Sequence, residues 1–375
     1  MKFRFILHII LPVFLSFHLS LAAQTVDAKK IAKYIQASVE NANPSYLNSL
    51  FHYNSFAAKF VDNDVRLYDF NKQFHAQASN SIDPGSLISA QMSPGSSYQL
   101  INITAEGKKY TYTFRVNSES GLDYHKYFLE EIDNELRVVD IYMYYEDILL
   151  SNKVASVYNI LCKVEQAELF TTQEIKSQES LNNYRDKFRE YLVEGKTDKI
   201  LKQYSKLDDS YKTDRDILMI ALRAASNTDL KETMSLYQKT KDFEHGYGAN
   251  LIVLEGLYTQ EAYQEILTYI DRVDRSVGSD PYLNYLRASV FKATGKNQKA
   301  EWLLNKTIQE LPNEQSAYFS LLEIYLESSR FTDASKLLDT LSSTFGFYKE
   351  ELAPLLIAYP GYIESDEYTT WIESL

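Results

Sequence analysis

The stretch 281–314, PYLNYLRASVFKATGKNQKAEWLLNKTIQELPNE, decides the fold predicted for the second half of the chain. Its first part spaces apolar residues three or four apart around Ala288, and its second part does so around Ala300 and Leu304. Both spacings are typical of helices with one buried face. Gly295 lies between them and suits the left-handed conformation that ends a helix. The stretch therefore predicts two helices joined by a tight turn.

The same pattern recurs at a nearly constant interval. The units begin at residues 181, 214, 247, 281 and 315. In the last unit Leu322 and Ala334 stand 34 residues after Ala288 and Ala300. These spacings resemble the tetratricopeptide repeat, a helix-turn-helix unit of 34 residues, most closely in the last two units. The resemblance implies about five stacked helix pairs, an all-α solenoid over 181–346 with a concave groove, and a capping segment at 347–375.

The first half of the chain predicts helices followed by a sheet. Helical spacing covers residues 26 to 74, with a break at Asn43-Pro44. Beyond residue 85, four segments rich in Tyr, Phe, Val and Ile are separated by short turn sequences. The predicted strands are Ser96–Thr104, Tyr110–Val116, Tyr124–Glu130 and Leu136–Tyr145. We expect a four-stranded antiparallel meander, with Tyr110, Tyr112, Phe114 and Val116 on one face of its second strand.

This order defines an α+β domain over 24–150 and a helical connector over 151–180. Helices followed by a twisted antiparallel sheet resemble, by element order alone, the nuclear-transport-factor-2-like (cystatin-like) fold. That resemblance implies a cone-shaped sheet that wraps around the helices and keeps a pocket on its concave side.

Residues 1–23 have the pattern of a secretory signal peptide. Lys2 and Arg4 precede an apolar run that ends in Ala22 and Ala23. An uncleaved membrane anchor is the alternative. We expect cleavage, an exported protein in the periplasm or outside the cell, and no stable membrane insertion afterwards.

The net charge of the chain excludes one class of partner, and its cysteine content excludes an internal disulfide. The formal net charge is −12, and removal of residues 1–23 makes it −14. A surface so acidic repels phosphate backbones, so we expect no nucleic-acid partner. A single cysteine, Cys162, cannot form an internal disulfide, and its apolar neighbours predict a buried, inert thiol.

Sequence motifs for a phosphate loop, a zinc protease, a nucleophile elbow or a paired-cysteine metal site are absent. We therefore expect no cofactor, no metal and no enzymatic activity. The one pocket candidate joins Asp123 and His125 with Asp140, an acid on an apolar strand that could act as a general base. The alternative is structural: a turn-forming Asp123, a surface His125 and an Asp140 that accepts hydrogen bonds.

Aromatic and acidic residues fall where tetratricopeptide-like repeats line their groove. They are Leu251, Glu255, Tyr258, Tyr282, Tyr285, Phe319 and Glu323. Aromatic anchors beside acids suit an extended peptide or a partner helix with basic residues. The expected function is an exported, non-catalytic scaffold that binds a protein or peptide in this groove. The alternative function is a small-ligand binder or enzyme that uses a pocket in the N-terminal domain.

Overall fold

The computed structural model describes residues 28–118, 121–243 and 245–374. The predicted signal peptide at 1–23 lies outside these ranges. The chain divides into two compact units, Met1–Gly256 and Leu257–Leu375. An α+β region followed by a run of helices, as predicted, is confirmed.

The first unit begins with helices, as the apolar spacing predicts. They are α1 (28–40), α2 (Ser45–Leu50), α3 (Tyr53–Ala57), α4 (Tyr68–Ser81) and α5 (Pro84–Ser89). Pro44 precedes α2 directly, so the predicted break at Asn43-Pro44 separates two helices. Asp83 caps α5 by accepting a hydrogen bond from the amide of Ser86.

An antiparallel meander follows, in the order β1-β2-β3-β4-β5. Its strands are β1 (Ser97–Glu106), β2 (Lys109–Ser118), β3 (Gly121–Ile132), β4 (Glu135–Met143) and β5 (Ile148–Leu149). The meander of the first four strands is confirmed, but the count of four strands was wrong. A fifth strand is present, in which Ile148 and Leu149 pair with Met143 and Tyr142. Asp147, with φ of 53°, turns the chain back so that this pairing can form.

The two faces of the sheet follow from its register. Tyr110, Tyr112, Phe114 and Val116 all lie on one face and are at most 6% exposed, as predicted. They pack with α1, α2 and α5 in one apolar cluster. Thr113 and Arg115 on the opposite face are also buried, at 3% and 2% exposure. The second strand is therefore covered on both faces of the sheet.

Seven α-helices follow β5 along the described chain as far as residue 259. They are α6 (Leu150–Glu165), α7 (Thr172–Val193), α8 (Thr197–Tyr204), α9 (Asp209–Lys212), α10 (Arg215–Ser226), α11 (Leu230–Lys239) and α12 (Gly248–Thr259). On α6, Cys162 is a buried free thiol whose pKa is raised by burial. That environment agrees with the inert role predicted for it.

The start of α12 is held by the turn that precedes β5. Asp147 Oδ1 accepts a 2.8 Å hydrogen bond from the Gly248 amide and a second hydrogen bond from the Tyr142 hydroxyl. Carboxylates are favoured at helix N-termini because the first amides have no partner within the helix. A side chain at Gly248 would place Cβ 1.9 Å from the carbonyl oxygen of Tyr144. Only glycine fits at position 248, where α12 begins beside the turn that holds Asp147. We call this contact between the Asp147 turn and α12 the joint.

The second unit contains the end of α12 and eight further described helices. They are α13 (Tyr263–Val277), α14 (Tyr282–Ala293), α15 (Asn297–Glu310), α16 (Gln315–Glu327), α17 (Phe331–Phe345), α18 (Lys349–Leu356), α19 (Pro360–Ile363) and α20 (Asp366–Glu373). One apolar cluster runs from Ala288 to Trp371. In it Leu352, Leu356 and Trp371 from the last helices pack with the buried face of α17. Three short helices, α18 to α20, lie in the tail at 347–375, where the sequence predicted a capping segment.

Four turns between helices, spaced by the predicted repeat, share one hydrogen-bond pattern, which also occurs after Ala42 and Gly278. The residues in left-handed conformation are Gly195, Glu261, Gly295 and Ser329, with φ of 67°, 54°, 71° and 55°. After each, the next amide bonds to a carbonyl five residues earlier, as Lys196 does to Tyr191 and Arg330 to Tyr325. This is the Schellman motif that closes helix C-termini. The four turns lie at the same position within their predicted repeat units.

No helix in the described ranges combines the length and the apolar character that crossing a membrane requires.

Replacement of Gly248 by alanine tests the joint between Asp147 and α12. Because the new Cβ would overlap the Tyr144 carbonyl, we expect Gly248→Ala to lower the free energy of unfolding by about 1–3 kcal/mol in urea titrations. Gly361→Ala is the control, since its Cβ would make an ordinary 3.6 Å contact with Phe331. Equal effects of the two substitutions would contradict this account of the joint.

The pKa of Asp147 predicts a pH dependence of stability. Burial raises the pKa of Asp147 to about 6, above its value in an unfolded chain. The folded protein therefore binds more protons between the two pKa values, and its free energy of unfolding rises as pH falls. Between pH 7.5 and 4.5 the contribution is about 2 kcal/mol.

The variant Asp147→Asn isolates this contribution, because asparagine tolerates a positive φ and keeps an acceptor for the Gly248 amide. In urea titrations at both pH values, the wild-type protein should gain about 2 kcal/mol more than the variant. Parallel pH profiles of the two proteins would show that Asp147 is not the titrating group.

Candidate functional site

Helices α14 and α16 each present one partly exposed face with the predicted partner-binding residues. On α14, Tyr282 and Tyr285 are half-buried and lie on the same side as Lys292. On α16, Phe319 is half-buried and Glu323, one turn later, is exposed. The two helices contact each other. We call these two faces, together with Phe347, the α14–α16 surface.

The aromatic rings of this surface form two contacting pairs. Tyr282 and Tyr285 have ring centroids 5.5 Å apart, and Phe319 and Phe347 have centroids 5.4 Å apart in an edge-to-face arrangement. Tyr285, Phe319 and Phe347 all pack against the core of the second unit while keeping exposed edges. At least one ring of each pair is thus held by the core and leaves apolar area exposed, as anchor residues in interfaces do.

A charged cluster lies beside the aromatic pairs. Lys292 on α14 bonds to Glu323 and stands 3.8 Å from a carboxylate oxygen of Glu327. Tyr359 lies close by: burial raises its pKa most, and the charges of Glu323 and Glu327 add to the increase. Two carboxylates against one ammonium leave this cluster with a net negative charge. It therefore favours a cation from outside.

Three of the predicted groove residues lie elsewhere. Leu251 is 2% exposed and offers no surface to a partner. The Tyr258 hydroxyl donates to the carbonyl of Leu286 at 2.9 Å, and burial raises the pKa of Tyr258 to about 12. Tyr258 therefore packs against the neighbouring helix. Glu255 faces Gly121 at the start of β3, and burial raises the pKa of its carboxyl to about 7.

Asp123 and His125 lie together on the inner face of the sheet. Register places them opposite Val116 and Phe114. Nε2 of His125 lies 3.5 Å from Asp123 Oδ2, and Nδ1 lies 3.1 Å from the Tyr98 hydroxyl. Both predicted alternatives for His125, a surface residue and an open catalytic group, disagree with its exposure of 0%.

A cavity of about 470 Å³ opens beside Asp123. Val116, Met143 and Met92 supply its apolar wall, and Asp123 and Glu146 supply carboxylates. His125 does not line it. The rest of the inner face is filled by fully buried aromatic residues, namely Tyr98, Tyr112, Phe114 and Tyr127. The pocket is thus confined to one end of the sheet.

Asp140 is separated from this pair. It stands opposite Phe128, which pairs with Thr111, so it lies on the face of the sheet away from Asp123 and His125. Its carboxylate accepts hydrogen bonds from the Ser151 amide at 3.1 Å and the Ser151 hydroxyl at 2.6 Å. The expectation of one pocket containing all three residues was wrong. Asp140 binds the first turn of α6, in line with the structural alternative.

Sequence reasoning missed Lys292, Glu327, Phe347 and Tyr359 at the α14–α16 surface. Glu327 lies four residues after Glu323 and Lys292 seven after Tyr285, so helical spacing could have placed both on these faces. Phe347 and Tyr359 lie beyond the last repeat, where the repeat gives no position. Nowhere in the described ranges do three His, Cys, Asp or Glu side chains converge as a metal site would require.

No protein-family model matches the chain. No curated protein matches it either.

Proposed function

We propose that this protein is an exported, non-catalytic scaffold whose helical repeats bind an extended segment of a protein partner at the α14–α16 surface. The repeats are tetratricopeptide-like in this proposal and stack as a solenoid. Support comes from four Schellman turns at one repeat phase and from a helix pair in each predicted unit. Such pairs have an apolar face that only a neighbouring pair can cover.

The observation that carries the proposal is the pairing of aromatic rings at equivalent repeat positions. Tyr285 and Phe319 are 34 residues apart, and each is joined by a second ring. Rings held by a core yet partly exposed provide contact area with little loss of side-chain entropy on binding. Their spread over two adjacent helices suits a segment that crosses both helices.

Export is part of the proposal because the sequence 1–23 has the pattern of a signal peptide. The partner would then be met in the periplasm or outside the cell. A fold with one buried cysteine does not depend on disulfide formation in that oxidising setting.

A peptide library tests the surface directly. Random peptides displayed on phage would be selected on the purified protein and their affinities measured by fluorescence polarisation. We expect Tyr285→Ala and Phe319→Ala each to weaken the selected peptides by more than about 1 kcal/mol, since anchor residues dominate such interfaces. Circular dichroism would establish that each variant is folded.

The matched control is Trp302→Ala. Trp302 is a 65% exposed aromatic residue of the same unit on α15, outside the α14–α16 surface. Its replacement should leave the affinities unchanged. Selected peptides that bind all three variants as well as the wild type would place the binding site elsewhere and end the proposal.

The cavity beside Asp123 supports a second candidate function, binding of a small ligand in the N-terminal region. Asp123 Oδ1 accepts hydrogen bonds of 2.7 Å from the amides of Tyr124 and Tyr145, which fix the carboxylate at the cavity wall. A fixed carboxylate beside apolar residues suits a small organic amine.

An amine library measured by thermal shift tests this second candidate. A compound that binds there should raise the melting temperature of the wild type and should lose at least tenfold in affinity with Asp123→Asn, because the variant removes the charge. Asp140→Asn, on the opposite face of the sheet, is the control and should retain binding. Ligands whose affinity is unchanged by Asp123→Asn would contradict binding at this pocket.

A further inference from the structure

The spacing of the two aromatic pairs restricts the conformation of a bound segment. Successive helices joined by short turns run antiparallel, so α14 and α16, separated by α15, run parallel. The axes of contacting helices lie about 8–10 Å apart. Tyr285 and Phe319 occupy equivalent repeat positions, so these two rings, one from each aromatic pair, are offset by about that distance.

A polyproline II helix matches this offset. It rises about 3.1 Å per residue with three residues per turn, so side chains on one side recur about every 9 Å. In a β-strand, side chains on one side recur about every 6.6 Å, which places the second side chain short of the second pair. A segment in polyproline II conformation would set residues i and i+3 on the two pairs.

Hydrogen bonding favours the same conformation over an α-helix with residues i and i+7 on the pairs. The Tyr285 hydroxyl has no hydrogen-bond partner among the described residues and stands at a half-buried edge. It can donate to a carbonyl. A polyproline II backbone leaves all its carbonyls unpaired, whereas the carbonyls within an α-helix are already bonded.

The charged cluster specifies a second feature of the segment. Glu323 lies one helical turn, about 6 Å along the axis, from Phe319, and Glu327 lies one turn further. Lys292 offsets one of these two charges. A basic side chain that projects from the segment beside the aromatic pairs would meet Glu327 and the ring of Tyr359.

We propose that the α14–α16 surface recognises a proline-rich segment in polyproline II conformation, with proline at every third position against the aromatic pairs and an arginine or lysine toward Glu323 and Glu327. This inference rests on the proposed function and names the class of partner that the surface takes. Proline-rich segments lose little conformational entropy on binding, and aromatic grooves are their usual receptors.

Three synthetic peptides test the inference by fluorescence polarisation with the full protein. The first has three Pro-Pro-Arg triplets, the second three Pro-Pro-Glu triplets and the third three Gly-Ser-Arg triplets. We expect the first to bind at least tenfold more tightly than either of the others, since the second reverses the charge and the third loses the conformation. Equal binding of the first and third peptides would show that the surface recognises charge alone. That result would overturn the inference.

Two conservative variants locate the binding without threatening the fold. Tyr285→Phe removes only the hydroxyl and should weaken the Pro-Pro-Arg peptide about threefold to tenfold. Glu327→Gln should weaken it at least threefold and reduce its salt dependence. Binding unchanged by both variants would overturn the assignment of this peptide to the surface.

The failure of this inference is distinguishable from the failure of the proposed function. Library peptides that depend on Tyr285 and Phe319, combined with no binding of the Pro-Pro-Arg peptide, would reject the proline-rich class and retain the peptide-binding surface. A leucine-rich helical peptide with basic residues that binds more tightly than the Pro-Pro-Arg peptide would likewise reject it.

Discussion

Close packing of helices in the second unit depends on alanine where the helices cross. Ala288, Ala300, Ala317 and Ala334 are at most 1% exposed and belong to one apolar cluster. Small side chains at a crossing let helix axes approach to the lower end of the usual range. The positions of Tyr285 and Phe319 on adjacent helices follow from that approach. The proposed recognition therefore depends on residues that no partner would touch.

Local patterns in the sequence were sufficient for the strands and the helix pairs. Alternation in Tyr110–Val116 indicates a strand because side chains of a strand point alternately to its two faces. Gly295 and the apolar residues around it indicate a helix pair for similar local reasons. The short strand Ile148–Leu149 escaped notice because two residues carry no periodicity, and its formation depends on the turn at Asp147.

Assignments that depend on tertiary neighbours were less accurate. Leu251 stands at the same repeat position as Tyr285 and Phe319, yet it is buried and they are not. The repeat position of a residue thus predicts the side of the helix on which it lies. It does not predict which other residues bury that side. The face of the sheet on which Asp140 lies was also not predictable from local sequence. It depends in part on the register shift between Phe128 and Leu129, which no local pattern reveals.

Two of the four Schellman turns hold residues other than glycine in the left-handed conformation. Glu261 and Ser329 occupy it at φ of 54° and 55°. This conformation costs a residue with a side chain about 1–2 kcal/mol. The protein therefore retains an unused thermostability reserve at two exposed turns of its second unit. Engineering can use it because neither turn contains one of the four alanines. Engineering for a more heat-resistant form could begin at those turns and leave the aromatic rings untouched.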